Sequence, residues 1–401
     1  MTDRQVRRLR HWTTGGYFAA FVALGLAYAS LGPTLTELAA NVGVALQQIS
    51  YALSARGLGY LVGSVVGGRL YDRVKGHPLV ATMLLLTAAL LVAIPFVSVL
   101  WLLVALIFVI GIFEGAIDVG GNTLLVWLHR DQVDPYMNAM HFFFGVGAFL
   151  SPVIIAQAVT LTGGIRWAYW ALAALMLPVV LLLPRLPSPP IAGVAADGEA
   201  VADRPRQNNR LVALIAVFFF LYVGAEASFG GWVATYAKAT GLGDAATAAY
   251  LTSAFWGAMT LGRLFSIPLA ARFTPRQVLL GDLLGCLVSV LLLVLLPGHA
   301  LAIWIGTFGA GLSMASIFPT ALSLAERHTR ITGTVTSYFF VGGSFGGMTI
   351  PWVIGQLFES VGPRVMILAI AAAVLLNSMV FGLILGATRQ PKVRRVVSEV
   401  S

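Results

Sequence analysis

Charge is what this sequence has least of. Only 10% of its 401 residues are Asp, Glu, Lys or Arg, against about a quarter in a soluble globular domain. With 58% of residues hydrophobic and a mean hydropathy of +0.88, the chain lacks the polar side chains to cover a water-facing surface. That excludes a water-soluble enzyme and a disordered chain. A disulfide scaffold is excluded too, because Cys286 is the single cysteine. The six histidines show no metal-ligand spacing. No phosphate-cradling Gly-x-x-x-x-Gly-Lys-Ser/Thr loop is present, which argues against ATP-driven transport. Stretches such as Leu283–Leu296 lack the polar–apolar alternation of a membrane barrel.

What is present is a series of long apolar runs. A bilayer core of about 30 Å needs roughly 20 apolar residues per helix. Twelve runs meet that need, at 15–39, 49–71, 79–97, 100–126, 138–161, 167–184, 211–238, 246–272, 277–297, 300–325, 333–358 and 363–386. The expectation is an all-α integral membrane protein of twelve transmembrane helices. The longest polar stretch, 185–210, splits these spans six and six. It separates an N-terminal bundle (1–184) from a C-terminal bundle (211–386), with a tail over 387–401. Twenty of the Lys and Arg residues fall on the side of the termini, among them Arg4, Arg7, Arg8 and Arg10. Three, Arg166, Lys238 and Arg364, fall on the other. The positive-inside rule then predicts cytoplasmic termini in a multi-pass protein of the cytoplasmic (inner) membrane. The first run is too long for a signal peptide. The net charge of +9 reads as topology, not as a nucleic-acid footprint.

The halves repeat one another. A shift of 199 lays Gly25 on Gly224, Gly32 on Gly231, Gly147 on Gly346, Pro152 on Pro351 and Gln157 on Gln356. A shift of 194 lays Gly68-Arg69-Leu70 on Gly262-Arg263-Leu264. Such order points to a duplicated six-helix unit, the two-bundle architecture of the major facilitator fold.

Several segments carry a family resemblance. Gly68-Arg-Leu-Tyr-Asp72-Arg73-Val-Lys75-Gly76 resembles the loop signature of the major facilitator superfamily. In the N-terminal half, Leu31-Gly-Pro-Thr-Leu35, Glu114-Gly-Ala-Ile-Asp118-Val-Gly-Gly-Asn122 and Asn138-Ala-Met-His141-Phe-Phe-Phe-Gly-Val-Gly147 resemble the branch holding the fucose–proton symporters and sodium-dependent glucose transporters. Leu221–Trp232 and Phe255–Arg263 do so in the second half. The fucose symporters carry an acidic residue within span 1; here Glu37 stands at that span's outer end. The resemblance implies a monomer that moves a small solute by alternating access. It also implies that Asp72 and Arg73 act in a latch between conformations, and that Asn138 and His141 contact sugar hydroxyls.

Ionisable groups inside a membrane are costly and call for an explanation. Glu114 and Asp118, four residues apart in span 4, share a helix face about 5–6 Å apart, with Asn122 one turn on. Two close carboxylates titrate as a unit, which suits uptake of a proton or sodium ion; the rival reading has them held by helix-end donors or an arginine and only fixing packing. Glu226, mid-span 7, has no basic neighbour within a turn. Trp256 lies well inside span 8, where its face could stack on a sugar or pack the core, and Tyr28 lies mid-span 1. Arg56, one or two turns into span 2 from the outside, reads as a structural residue that either pairs with a carboxylate or snorkels outward. Arg263 and Asp282 read as a pair at the cytoplasmic ends of spans 8 and 9. The candidates are therefore Glu114 and Asp118 for ion coupling. Asn122, Asn138, His141, Glu226, Trp256 and Tyr28 are the candidates for substrate, and Asp72, Arg73, Arg263 and Asp282 for gating. The expected function is cation-coupled symport of a sugar or related polyhydroxylated solute, with a proton-coupled exporter of drugs or amphipathic metabolites as the alternative. The expected partners are a small-molecule substrate and the lipid bilayer, with no cofactor, metal or enzymatic activity.

Overall fold

A computed structural model describes residues 3–189, 208–329 and 333–388. Most of the predicted linker (185–210) and of the tail (387–401) lies outside these residues. The described secondary structure is helical throughout. The first seven α-helices are α1 (Asp3–Tyr28), α2 (Leu31–Val42), α3 (Leu46–Tyr71), α4 (Gly76–Ala93), α5 (Leu100–His129), α6 (Asp134–Thr162) and α7 (Arg166–Leu182). After the central polar stretch come α8 (Asn209–Ala239), α9 (Ala245–Arg272), α10 (Pro275–Leu295), α11 (Ala300–Met314), α12 (Ile317–Glu326), α13 (Gly333–Val361) and α14 (Arg364–Ala387).

Each of the twelve apolar runs coincides with one helix or with a helix pair, α1–α2 or α11–α12. Among the described residues, seven helices and the α11–α12 pair are long and apolar enough to cross a membrane, eight spans in all, or nine when the pair bent by 42° at α1–α2 is taken as one. Helices α3, α9 and α13 are 26, 28 and 29 residues long but fall short on apolarity. These are the helices that carry Gln, Ser, Thr and Gly into the seams between the halves.

Both helix pairs carry a proline at the same place, the third residue of the second helix. Proline has no amide proton, so Pro33 withholds the donor that the Ala29 carbonyl needs four residues earlier. Pro319 does the same to Ala315. The helices restart at Leu31 and Ile317.

Within each half, one crossing recurs at the shift seen in the sequence. Gly25 of α1 faces the carbonyl of Phe144 while Gly147 of α6 faces that of Val22. Gly224 of α8 and Gly346 of α13 meet in the same way, Gly346 against the Phe220 carbonyl. A Cβ at either position of the first crossing, or at Gly346, would collide with backbone, so the helices cross at glycine distance. Among the described residues α1–α7 meet α8–α14 where α3 packs against α13, α6 against α9, and α2 against α8 and α9. These seams are densest at the end distal to the chain termini. There Lys238 Nζ bonds Glu37 at 2.6 and 2.9 Å and Thr36 at 2.8 Å. Glu359 accepts the Leu46 amide at 2.9 Å, and Gln47 pairs with Gln356 at 3.0 Å. The repeat-related glutamine, Gln157, bonds Tyr250 across the α6–α9 seam.

Candidate functional site

The centre of the molecule is assembled by the α3–α5 crossing. Gly63 of α3 faces the Ile112 carbonyl, and Gly115 of α5 faces that of Tyr60. Neither position has room for a Cβ, so the two backbones touch. At that range residues in one register meet directly: Arg56 with Glu114 and, one turn further, Tyr60 with Asp118.

Arg56 Nε donates to Glu114 Oε2 at 2.8 Å and Nη2 to Oε1 at 2.5 Å. Its Nη1 donates to the Tyr28 carbonyl at 2.5 Å, which the α1–α2 break leaves clear of the helix ladder. The guanidinium also sits 4.5 Å from the centre of the Tyr28 ring. Glu114 is 0% exposed. This is a bidentate, largely buried ion pair, with three of the five guanidinium N–H groups engaged.

Asp118 differs. One oxygen accepts the Tyr60 hydroxyl and the other the Asn122 amide at 3.1 Å, while the same amide also donates to the Asp118 carbonyl at 2.8 Å. Among the described residues no cation lies within ion-pair distance of it. The two carboxylates, expected to act as one unit, are thus divided. Glu114 belongs to an arginine, and Asp118 to neutral hydroxyl and amide donors.

The facing wall comes from α6, α8 and α9. His141 packs edge-on against Phe21, with ring centres 5.6 Å apart, and its carbonyl accepts Arg263 Nη1 at 3.2 Å. Arg263 is within electrostatic reach of Glu226 and of Tyr28. Tyr222, one turn before Glu226, donates to the Met314 carbonyl at 3.0 Å, at the α11–α12 break. The Tyr28 ring stands between the halves, tilted against Phe144 and perpendicular to Trp256, each with ring centres 5.6 Å away. Trp256 is 3% exposed and lies against Gly230, and its indole N–H has no partner among the described residues. Asn138, three residues before His141, is exposed and makes no hydrogen bond among the described residues.

The structure corrects one predicted pairing. Arg263 does not meet Asp282. It lies more than two turns inside α9 and reaches across the seam to His141. Asp282 instead accepts the Ser316 hydroxyl at 2.6 Å, at the α11–α12 break. Asp72 and Arg73 end α3 exposed, without an ion pair among the described residues. Sequence reasoning missed Tyr60 and Tyr222 as part of the centre. The signal for Tyr60 was the glycine stripe Gly59, Gly63 and Gly67 opposite Gly111 and Gly115, which sets the register of α3 on α5.

Asp244, outside the spans at the start of α9, caps that helix. The Thr247 amide donates to it at 2.8 Å and holds its carboxyl below the usual range.

Comparison with known proteins places this geometry. The profile of the Major Facilitator Superfamily matches residues 17–351. The chain is 35% identical over 360 residues to the sodium-dependent glucose transporter 1 of Xenopus laevis, covering 83% of this chain and 73% of that one. It is 32% identical over 373 residues to the Homo sapiens protein of that name, covering 84% and 72%. It is 26% identical over 441 residues to the major facilitator superfamily domain-containing protein 4A of Mus musculus, covering 86% of each. The crystal structure of the nucleoside transporter NupG superposes with a TM-score of 0.72 at 13% identity. That match covers 96% of this chain and 100% of that one, and it speaks for the fold alone. With the family's profile matched over more than three quarters of its length, the chain belongs to the Major Facilitator Superfamily.

Proposed function

We propose that the protein is a cation-coupled secondary transporter that carries a sugar or related polyhydroxylated solute by alternating access, working as a monomer with both termini cytoplasmic. The observation that carries this reading is the belt of polar groups where the halves meet: Asp118 and Asn122 on one wall, Glu226 and Arg263 on the other, with Tyr28 and Trp256 between. Carboxylates and amides recognise hydroxyl groups, and aromatic faces receive the C–H faces of a sugar ring. The names of the two sodium-dependent glucose transporter relatives support the solute class. Glu114 and Asp118 are the proposed coupling residues. Of the two, Asp118 is the one whose partners are neutral, so a proton or sodium ion can exchange there without competing against a guanidinium.

The seams fit a state closed at the distal end. The described hydrogen bonds between the halves lie at the His141–Arg263 contact or on its distal side, and Asp72 and Arg73 have no ion pair among the described residues. A latch that engages only when the termini ends close would leave them so.

Uptake of radiolabelled hexoses and deoxyhexoses into proteoliposomes, under an imposed sodium or proton gradient, tests the proposal. The expected result is solute accumulation that one of the two gradients drives and that Asp118→Asn abolishes. Accumulation of lipophilic cations, with no sugar moved under either gradient, would favour the exporter instead.

A further inference from the structure

A groove of about 630 Å³ runs between the start of α1 and the end of α7, lined by Arg8, His11, Trp12, Gly15, Gly16 and Leu182. It lies at the termini end, away from the central site. We propose that it is a binding site for one anionic phospholipid of the adjacent leaflet.

The argument starts from spacing. Arg8, His11, Trp12 and Gly15 recur at three- and four-residue steps, so they share one face of α1, and all four are exposed. Neither Arg8 nor His11 has a hydrogen-bond or ion-pair partner among the described residues. Arg10, turned the other way, is engaged with the His129 carbonyl at 3.3 Å. None of the six lining residues is acidic, so the groove presents donors and positive charge to whatever enters. Trp12 is 57% exposed, and a tryptophan beside cations at the end of a span sits at headgroup depth.

Gly15 is the second, independent observation. A glycine inside a helix destabilises it relative to alanine and calls for a packing reason. Gly16 has one: an added Cβ would lie 3.1 Å from Leu183 and 3.3 Å from Leu186. Gly15 has none, because nothing among the described residues lies within 4 Å of such a Cβ. The space above Gly15 continues between α1 and Leu182. On the same face of α7, two turns back, Leu175 is 50% exposed. A phospholipid fits this order of chemistry, with its phosphate at Arg8 and His11, its glycerol at Trp12, and an acyl chain laid over Gly15 along Leu182 and Leu175. Basic pockets between helices at a membrane surface hold anionic headgroups by the same chemistry.

The probe is palmitoyl-oleoyl phosphatidylglycerol added to the detergent-solubilised full chain, with retained lipid counted by native mass spectrometry and thermal unfolding followed in parallel. One phosphatidylglycerol should be retained and should raise the unfolding temperature, whereas phosphatidylcholine or soluble glycerol 1-phosphate should not. Arg8→Ala should weaken phosphatidylglycerol binding about fivefold, the share of one surface cation. Gly15→Leu, which fills the groove without touching the fold, should abolish retention while the lipid-free protein unfolds as the parent does. Gly15→Ala controls for helix propensity. Equal retention of phosphatidylglycerol by the parent, Arg8→Ala and Gly15→Leu proteins would overturn the site. So would an equal effect of phosphatidylcholine, which means ordinary solvating lipid, or of glycerol 1-phosphate, which means a soluble-anion site.

Discussion

Glu114 and Asp118 are one helical turn apart, and the structure predicts unequal consequences of removing their charges. In Glu114→Gln the new amide oxygen can accept one of the two guanidinium N–H groups of Arg56, but its NH2 then points a donor at the other. The variant loses one charge-assisted bond, worth about 1.5–3 kcal/mol, and leaves a dry guanidinium without its counter-charge. Breaking a buried pair from one side costs about 3–5 kcal/mol, a large fraction of a typical stability margin. Asp118→Asn is milder. Tyr60 can still donate to the amide oxygen, while the new NH2 faces the Asn122 NH2, so that bond is lost; no charged partner is stranded, and the cost is about 1 kcal/mol. Thermal unfolding of purified protein should therefore fall steeply for Glu114→Gln and slightly for Asp118→Asn. Cation-driven uptake, normalised to folded protein, should vanish in Asp118→Asn. Arg56→Met with Glu114→Met should be more stable than either single change, because neither charge is stranded. An Asp118→Asn protein with full cation-stimulated uptake, or a Glu114→Gln protein as stable as the parent, would refute the division of roles.

Three further outcomes follow from the same geometry. Lys238→Ala removes a partly exposed pair worth about 0.2–1 kcal/mol. Since Glu37 and Lys238 sit in opposite halves, the distal ends should part up to a few-fold more often, as read by spin-label distances across them, and high salt should mimic the change. Glu226→Gln should change solute affinity in a ligand thermal-shift series more than it changes expression; unaltered affinity for every hexose would make Glu226 a packing residue. Asp72→Asn should shift the population away from closure of the termini ends by a few-fold to more than tenfold, for a helix-end contact of about 0.3–1 kcal/mol and up to about 2 kcal/mol. Cysteine accessibility at those ends reads it, and loss of solute affinity with unchanged accessibility would count against a latch.

The sequence carried the helices well and the partners of side chains poorly. Apolar runs report a helix wherever lipid sets the composition, and the offset of 199 foretold that Gly25 and Gly147 would be matched by Gly224 and Gly346 at a second crossing. The break after Tyr28 was less legible, although Pro33 stood inside a quoted motif, because a proline within a long apolar run marks a bend or nothing at all. Spacing along one helix suggested that Glu114 and Asp118 share a site. Which helix supplies their partners depends on how closely α3 approaches α5, and only the glycine stripe encodes that. Arg263 was misplaced for a similar reason: distance from a span's end measures depth, whereas its long side chain reaches sideways to His141 and the neighbourhood of Glu226.

The two proline breaks have a consequence for anyone who re-engineers this centre. At each, a main-chain oxygen five residues ahead of the proline, that of Tyr28 or Met314, receives a side chain of the site, Arg56 or Tyr222. An acceptor on the main chain survives every exchange of the residue that bears it, so mutational scans of Tyr28 or Met314 will report on their side chains and stay blind to these bonds. The handle on them is remote. Pro33→Ala or Pro319→Ala restores the amide that Ala29 or Ala315 lacks; a straightened ladder then brings the Gly32 or Phe318 amide onto the Tyr28 or Met314 oxygen, and should loosen Arg56 or Tyr222 with no change to any residue of the proposed site.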